Sequence, residues 1–234
     1  MTAVSTATAP ASVEVLAFDV YGTLVDPIRV WTRLQEYAPD RAIPIAELWR
    51  QKQLEYSFRL TVMGQYYDFE WVTARALEYA LAATGVTLSP SQVSALLAQY
   101  DALDTFEDVR PGLEALQASG RELVVFSNGS PRMLDAVLAS SGLTSCFSRV
   151  VSVHDVRAFK PSPRVYQHLA DTVGRPPNRV LLVSSNPFDI IGGLAAGLQA
   201  AWINRAGAPF DTIAPPPPLV VRVLTELAEA VSAV

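Results

Sequence analysis

The stretch Phe18-Asp19-Val20-Tyr21-Gly22-Thr23-Leu24 follows directly after the apolar run 13–17. An acid at the carboxyl end of a buried strand, followed by a tight glycine turn, is where an open α/β sheet carries its reactive group. The residue two places after the acid is Tyr21, not a second Asp. The sequence therefore predicts a functional edge at the end of its first strand, with a single acid in the first motif.

Short aliphatic or β-branched runs recur along the chain and read as strands at 13–18, 122–127, 149–153, 179–184 and 200–204. None alternates cleanly with polar residues, which indicates strands buried on both faces of a parallel sheet. Helical segments separate or follow the later strands, at 111–119, 130–141, 161–173, 187–197 and 219–232. Strands that alternate with helices predict an α/β fold, a Rossmann-like doubly wound parallel sheet.

Residues 27–107 interrupt this alternation, because they read only as helices, at 44–63, 68–84 and 89–100. The last of these opens on Ser89-Pro90-Ser91-Gln92, a capping box with proline at the first helical position. We therefore predict a catalytic core of residues 13–26 and 108–234, with a helical cap of residues 27–107 inserted between its first two strands. In the core, the pair Gly193 and Gly197 is spaced to let a helix lie close to the sheet.

Composition excludes several classes of partner. The 234 residues are 50% hydrophobic and carry a net charge of −5, with no basic stripe, so nucleic acid is not an expected partner. No apolar run reaches the roughly 18 residues of a membrane span, and residues 1–12 read as a loose tail rather than a signal peptide. Cys146 is the only cysteine, so no intrachain disulfide can form, which fits a cytoplasmic protein.

Polar residues end or follow four of the predicted strands: Asp19, Ser127, Lys160 and Ser184. Carboxyl ends of parallel strands converge on one crevice, so these side chains should meet. A nearby ammonium keeps a carboxylate ionised and aims it, and Lys160 is the natural partner for Asp19. Taken singly, each residue has a plainer explanation: Asp19 and Thr23 can bond within a turn, and Lys160 can be a solvated surface lysine.

The chain resembles the haloacid dehalogenase superfamily and, within it, the L-2-haloacid dehalogenase (type II) family, from about Val13 to Glu226. Besides the first motif, four blocks carry the resemblance in order: Leu48-Trp49-Arg50-Gln51-Lys52-Gln53-Leu54-Glu55-Tyr56, Phe126-Ser127-Asn128-Gly129-Ser130-Pro131, Lys160-Pro161-Ser162-Pro163-Arg164-Val165-Tyr166 and Ser184-Ser185-Asn186-Pro187-Phe188-Asp189. One such motif is weak, whereas five in this order and spacing are a specific signal.

The resemblance implies a metal-independent hydrolase that converts (S)-2-haloalkanoic acids to (R)-2-hydroxyalkanoic acids through an ester on Asp19, with no cofactor. It implies that Arg50 holds the departing halide ion, although an arginine on a helix is usually surface decoration. The remaining catalytic positions that it implies are Lys160, Thr23, Asp189, Ser184 and Asn186. The substrate-binding positions are Ser127, Asn128, Val20, Tyr21, Gln51, Leu54, Phe69, Tyr166 and Phe188.

Three features of these positions stay open in the sequence. Ser127 and Asn128 can hold a substrate carboxylate, and both types also favour helix caps. Tyr166 can bond to Lys160 or to substrate. Phe188 stands where relatives often carry Trp, so the size of the pocket is open. Family members are commonly homodimers, which makes a second copy, a small 2-haloacid and a halide ion the expected partners.

The main alternative is a magnesium-dependent phosphatase on the same fold. A phosphatase needs a second acid to protonate its leaving oxygen and more carboxylates for Mg²⁺, whereas Tyr21 replaces the former and Ser184, Ser185 and Asn186 occupy the last motif. A silent binding module is a third possibility. His154, His168 and Cys146 lie outside every block, and we interpret both histidines as surface or structural residues.

Overall fold

The computed structural model describes residues 13–232, so the expectation of a loose tail at residues 1–12 lies outside the described residues. Its centre is a sheet of six parallel strands in the order β3-β2-β1-β4-β5-β6. The strands are β1 (Val15–Phe18), β2 (Glu122–Ser127), β3 (Arg149–Ser152), β4 (Val180–Ser184), β5 (Gln199–Ile203) and β6 (Leu219–Val221). The prediction of a parallel α/β core is confirmed.

The register of the sheet brings the sequence motifs to one edge. Phe18 at the end of β1 pairs with Val125 of β2 on one side and with Val183 of β4 on the other. The chain runs outward from β1 through β2 and β3, and then returns to the other side of β1 to begin β4. Ligands of doubly wound sheets bind at such a reversal of strand order, so the residues after β1, β2 and β4 share the reactive edge.

Helices cover this sheet, as buried strands require. They are α5 (Val109–Gln117), α6 (Pro131–Ser140), α7 (Pro163–Val173), α8 (Pro187–Ala195) and α9 (Leu224–Ser232). Both α7 and α8 begin with a proline at the first position, where its missing N–H costs no hydrogen bond. The left-handed Gly174 ends α7 at the predicted place.

Four α-helices lie within residues 27–107, the segment predicted to be the cap. They are α1 (Trp31–Tyr37), α2 (Ala42–Val62), α3 (Phe69–Thr84) and α4 (Pro90–Gln99). The pair α2 and α3 packs together, and two polar contacts fix its register: Trp49 Nε1 donates to Thr73 O at 2.8 Å and Gln53 Nε2 donates to Thr73 Oγ1 at 2.7 Å. The capping box at Ser89 is present at the start of α4.

The structure corrects two assignments near the ends of this pattern. Residues 219–221 form β6 at the sheet edge, and the last helix begins only at Leu224, so the expectation of a helix over 219–232 is wrong in its first turn. The three residues Leu219, Val220 and Val221 are too few to show a period. The short helix α1 was also not predicted.

Close approach of α8 to its neighbours depends on adjacent glycines. A Cβ on Gly192 would collide with the hydroxyl of Tyr166 and lie 2.7 Å from Cβ of Pro161. A Cβ on Gly193 would meet only the end of Leu182, at 2.6 Å from Cδ2. Gly197 instead ends the helix with a φ of 86°, so the close-packing pair is Gly192 and Gly193 rather than Gly193 and Gly197.

We predict that Gly192→Ala lowers the free energy of unfolding by about 1–3 kcal/mol, the usual cost of overpacking a core. Gly193→Ala is the matched control, since both glycines are buried in α8 and only the flexible end of Leu182 must yield there. Urea denaturation followed by circular dichroism measures both variants. Equal losses for the two variants would contradict the assignment of the tighter contact to Gly192.

Candidate active site

A buried ammonium joins two carboxylates at the reactive edge of the sheet. Lys160 Nζ lies 3.2 Å from Asp19 Oδ1 and 2.8 Å from Asp189 Oδ2, and its side chain is 1% exposed. The same nitrogen donates to the carbonyl of Phe126 at 2.9 Å and lies 4.1 Å from the centre of the Phe126 ring. All three protons of the ammonium therefore have acceptors, as a buried charge requires.

The turn after β1 holds the carboxylate of Asp19 in place. The carbonyl of Val20 accepts from the amides of Thr23, Leu24 and Val25, and Gly22 adopts a φ of 92° that side chains rarely tolerate. This turn brings the Thr23 hydroxyl back to Asp19 Oδ2 at 3.0 Å. Thr23 therefore bonds within the turn and holds the carboxylate through the same hydroxyl.

The loop after β4 supplies a second donor to the same oxygen. Asn186 Nδ2 donates to Asp19 Oδ2 at 2.8 Å and to the carbonyl of Tyr21 at 3.1 Å. The Ser184 hydroxyl accepts from the Asn186 amide at 3.1 Å, which fixes the bend of this loop. Oδ2 of Asp19 thus has two neutral donors, while Oδ1 faces the ammonium of Lys160.

Asp189 is the second carboxylate of the cluster and is fully buried. The Tyr166 hydroxyl donates to Asp189 Oδ1 at 2.9 Å, and Lys160 Nζ donates to Asp189 Oδ2. Burial raises the pKa of Asp189 above its ordinary value, while the charge of Lys160 acts in the opposite direction. Burial, and then the charge of Asp189, raise the pKa of Tyr166 well above its ordinary value.

Arg50 approaches the cluster from α2. Its Nη1 donates to Gln53 Oε1 at 2.7 Å and its Nη2 donates to the carbonyl of Tyr21 at 3.0 Å. Desolvation lowers the pKa of Arg50, opposed by Tyr100 and then by Asp19. Within residues 13–232, no ion pair to Arg50 lies inside 4.0 Å, so its charge is oriented by neutral acceptors and suits an incoming anion.

A small cavity of about 10 Å³ lies between these groups, room for about one water molecule. Its walls combine the polar groups at the strand ends with apolar side chains from α2, α3 and the start of α8. The lining residues are Asp19, Tyr21, Arg50, Leu54, Phe69, Ser127, Asn128, Lys160, Asn186 and Phe188. Ten of the sixteen positions that the sequence assigns to the site therefore border one cavity.

Ser127 and Asn128 lie on the wall formed by the end of β2. Asn128 Oδ1 accepts from the backbone amide of Lys160 at 3.0 Å, and Ser127 Oγ accepts from the Gly129 amide at 3.2 Å. Neither side chain caps α6, because Ser130 is the N-cap residue and accepts from the Met133 amide. The helix-cap explanation for Ser127 and Asn128 is therefore wrong.

Three of the expected substrate-binding residues do not border the cavity: Gln51, Val20 and Tyr166. Gln51 is exposed and does not border the cavity, because residues 50, 53, 54 and 57 form the inward face of α2 and position 51 points elsewhere. Val20 is buried in the core and contributes only its carbonyl to the turn. Tyr166 does not border the cavity, and its hydroxyl donates to Asp189 rather than to Lys160.

Several residues that the sequence did not single out complete the site. Gln53 is fully buried and bridges Arg50 to Thr73; it could have been found as the residue one helical turn after Arg50. Two contacts join the helical segment 27–107 to the loops at the sheet edge: Ser130 Oγ donates to Glu70 at 2.7 Å, and the rings of Phe58 and Phe188 meet edge to face at 5.2 Å. No sequence pattern marks such long-range pairs.

Both histidines have local partners. The ring of His154 lies 3.0 Å from the Tyr66 hydroxyl, and His168 Nε2 lies 3.6 Å from Asp155. Across residues 13–232, no group of three or more His, Cys, Asp or Glu side chains is arranged to hold a metal ion. None of the helices described in that range is both long and apolar enough to cross a bilayer.

Comparison with known proteins agrees with this geometry. Residues 13–197 match the model of the haloacid dehalogenase-like hydrolases. The chain is 37% identical to the haloacetate dehalogenase H-2 of Moraxella sp. (strain B), over 94% of this chain and 98% of that protein. It is also 37% identical to the (S)-2-haloacid dehalogenase of Pseudomonas sp. (strain YL), over 92% of each.

Solved structures give the same relation. The L-2-haloacid dehalogenase of Xanthobacter autotrophicus superposes with a TM-score of 0.87 at 34% identity, over 93% of this chain and 97% of that one. Its structure with chloropropionic acid covalently bound has a TM-score of 0.86. The chain belongs to the haloacid dehalogenase-like hydrolases, and within them to the group of the (S)-2-haloacid dehalogenases.

We predict that Lys160→Met lowers the free energy of unfolding by about 3–5 kcal/mol near neutral pH, because it leaves the buried carboxylates of Asp19 and Asp189 without a counter-ion. Lys160 lowers the pKa of Asp189, so its removal moves that pKa further above the unfolded value of about 3.9. An acid with a higher pKa in the folded state binds protons on folding. The variant therefore loses stability as the pH rises from the unfolded pKa of Asp189 through its raised pKa in the folded protein.

Urea denaturation at about pH 4.5 and about pH 7.5 measures this effect, with the deficit expected to shrink at the lower pH. The double variant Lys160→Met/Asp189→Asn serves as control. It removes the unpaired charge of Asp189 and should recover part of the lost free energy of unfolding. A deficit that is the same at both pH values would contradict the buried ion cluster.

Proposed function

We propose that this protein hydrolyses (S)-2-haloalkanoic acids to (R)-2-hydroxyalkanoic acids through a covalent ester on Asp19, without a metal ion. One observation carries the proposal: Asp19, with its Oδ1 3.2 Å from Lys160 Nζ, borders the cavity, and Arg50 borders the same cavity without a carboxylate partner inside 4.0 Å among residues 13–232. A nucleophilic carboxylate and a halide-binding cation thus face one small space.

In the first step Asp19 Oδ1 attacks C2 of the substrate, and the electron pair of the carbon–halogen bond leaves with the halide ion. Oδ1 is the oxygen left for the attack, because it accepts only from Lys160, whereas Thr23 and Asn186 both donate to Oδ2. The guanidinium of Arg50 receives the halide, and Ser127 and Asn128 hold the substrate carboxylate. Attack opposite the halogen inverts the configuration at C2.

In the second step water adds to Cγ of the ester, the bond between Cγ and Oδ1 breaks, and Oδ1 leaves as the hydroxyl oxygen of the product. Of the two protons of the water, one goes to that hydroxyl and the other is released. Oδ2 is then the carbonyl oxygen, and the hydrogen bonds from Thr23 and Asn186 stabilise the negative charge that develops on it. Esterification removes one charge from the cluster, so Lys160 and Asp189 become a neutral pair. Asp189, whose two oxygens accept from Tyr166 and Lys160, holds the ammonium of Lys160 beside the ester.

The cavity is small, so short substrates require the least movement of its walls. At about 10 Å³ it is smaller than any 2-haloacid, so the side chains between cap and core must separate when substrate enters. Leu54, Phe69 and Phe188 form its apolar wall. We propose haloacetates and 2-halopropanoates as the preferred class, which agrees with the names of the Moraxella and Pseudomonas relatives.

The purified protein is expected to release chloride from (S)-2-chloropropanoate and to yield (R)-lactate at a rate that EDTA does not change. Ion chromatography of chloride and chiral chromatography of lactate measure the two products. A phosphate ester with added Mg²⁺ is the control substrate. Phosphate release that depends on Mg²⁺, with no release of halide, would replace this proposal by the phosphatase alternative.

Replacement of Arg50 tests the halide site. Arg50→Ala should lower kcat by roughly 100-fold, equivalent to about 3 kcal/mol, because the guanidinium acts on charge that develops in the transition state. Arg50→Lys keeps the charge but loses the planar donors, so its kcat should lie between those of the wild type and Arg50→Ala. Near-normal kcat in a folded Arg50→Ala, checked by circular dichroism, would remove Arg50 from the site.

We further propose that residues 13–26 and 108–234 act as a catalytic core and residues 27–107 as a cap, in a cytoplasmic homodimer. Large exposed apolar side chains gather on the cap, among them Met63, Trp71 and Tyr79. They border a groove of about 450 Å³ between α2 and α3, whose rim carries Arg59, Arg75 and Glu78. A surface with both charge signs around an apolar centre suits a self-complementary contact.

Sedimentation equilibrium should give a dimer for the wild type, and Met63→Asp should weaken it, because a charge would enter the apolar contact. Ile213→Asp is the control, since Ile213 is 84% exposed and does not border the groove. A monomeric wild type, or equal effects of the two variants, would contradict an interface on the cap.

A further inference from the structure

The donors to Asp19 Oδ2 are themselves held by one residue of the β4 loop, Ser185. Its backbone amide donates to Thr23 Oγ1 at 2.9 Å. That contact occupies an acceptor site of the hydroxyl, so the single proton of Thr23 is directed to Asp19 Oδ2. Ser185 also precedes Asn186 in the chain, so its position sets both donors.

Ser185 is in turn held from the end of β5. Arg205 Nη1 donates to Ser185 Oγ at 3.1 Å, and Trp202 Nε1 donates to the carbonyl of Ser185 at 3.1 Å. Ser185 therefore has one contact to its side chain and one to its backbone carbonyl. The contact to its side chain comes from Arg205, a charged residue that does not border the cavity.

Asp108 fixes the direction of this arginine. Arg205 Nε and Nη2 reach Asp108 Oδ1 and Oδ2 at 2.8 and 2.9 Å, a two-pronged pair, and the guanidinium lies 4.1 Å from the centre of the Phe106 ring. Asp108 Oδ2 also accepts from the Leu224 amide at 2.8 Å. Such a fork holds a guanidinium in one orientation, which a lysine in its place would not reproduce.

We infer that Arg205, oriented by Asp108, is a positioning residue for the second step of the reaction, because through Ser185 it sets Thr23 and Asn186 against the ester carbonyl oxygen. The inference rests on the proposed function. Charge grows on Oδ2 only when water adds to the ester, so misplaced donors should slow that step more than the displacement of halide.

The pair of Arg205 and Asp108 also ties β5 to α5 and α9, so its loss should lower stability as well. A purely structural role would reduce the fraction of active protein and the melting temperature. It would not change the relation between the two chemical steps in the protein that stays folded. Resolving the steps therefore separates positioning from stability.

The experiment is quenched-flow mixing of (S)-2-chloropropanoate with an excess of full-length enzyme, with chloride and lactate measured in the same samples. Chloride reports ester formation and lactate reports ester hydrolysis. The variants are Arg205→Met, Arg205→Lys and Ser185→Ala, which keeps the backbone amide but loses the contact to Arg205. Arg175→Met is the control, because Arg175 is an exposed arginine that pairs with Glu14.

In Arg205→Met, lactate should appear about 10-fold more slowly than in the wild type, with chloride release within about 3-fold, so that the ester accumulates on the peptide containing Asp19. Arg205→Lys and Ser185→Ala should show smaller delays in the same step, and Arg175→Met none. Unchanged rates of both steps in Arg205→Met, or an equal fall of both, would overturn the inference. Absence of chloride release by the wild type would instead overturn the proposed function.

Discussion

The ammonium of Lys160, enclosed between the carboxylates of Asp19 and Asp189 at 3.2 and 2.8 Å, is the interaction on which the rest of the site depends. Two carboxylates and one ammonium cannot be buried unless each lone pair and proton has a partner. Phe126, Thr23, Asn186 and Tyr166 supply those partners. The same contacts that make burial tolerable also orient Asp19 towards the cavity.

The doubly wound sheet explains how distant residues meet this demand. Asp19, Ser127 and Ser184 stand at or just after the ends of adjacent parallel strands, and Lys160 follows β3. The helical segment between β1 and β2 adds Arg50 to the cavity, so in the proposed reaction the sheet edge supplies the nucleophile and this segment supplies the charge for the leaving ion. In the proposed reaction the division of labour between Oδ1 and Oδ2 of Asp19 follows from which donors reach each oxygen.

Much of this arrangement could be predicted from the sequence, because strand ends, glycine turns and capping residues are local signals. The five longer strands and the convergence of Asp19, Ser127, Lys160 and Ser184 were predicted in this way. The edge strand β6 escapes prediction because three residues carry no period, and the exposed position of Gln51 follows from the helical phase of α2, which a match of motifs does not take into account. The contact of Arg205 with Asp108 spans 97 residues in the chain and leaves no pattern that could be read.

Asp19 can attack the substrate directly or activate a water molecule, and an oxygen isotope distinguishes these two routes. With enzyme in excess over (S)-2-chloropropanoate in H₂¹⁸O, mass spectrometry of product and of the peptide containing Asp19 gives the origin of the new oxygen. Direct attack, which we propose, predicts ordinary oxygen in the first-turnover lactate and ¹⁸O in the Asp19 carboxylate. Label in that lactate and none in Asp19 would contradict it.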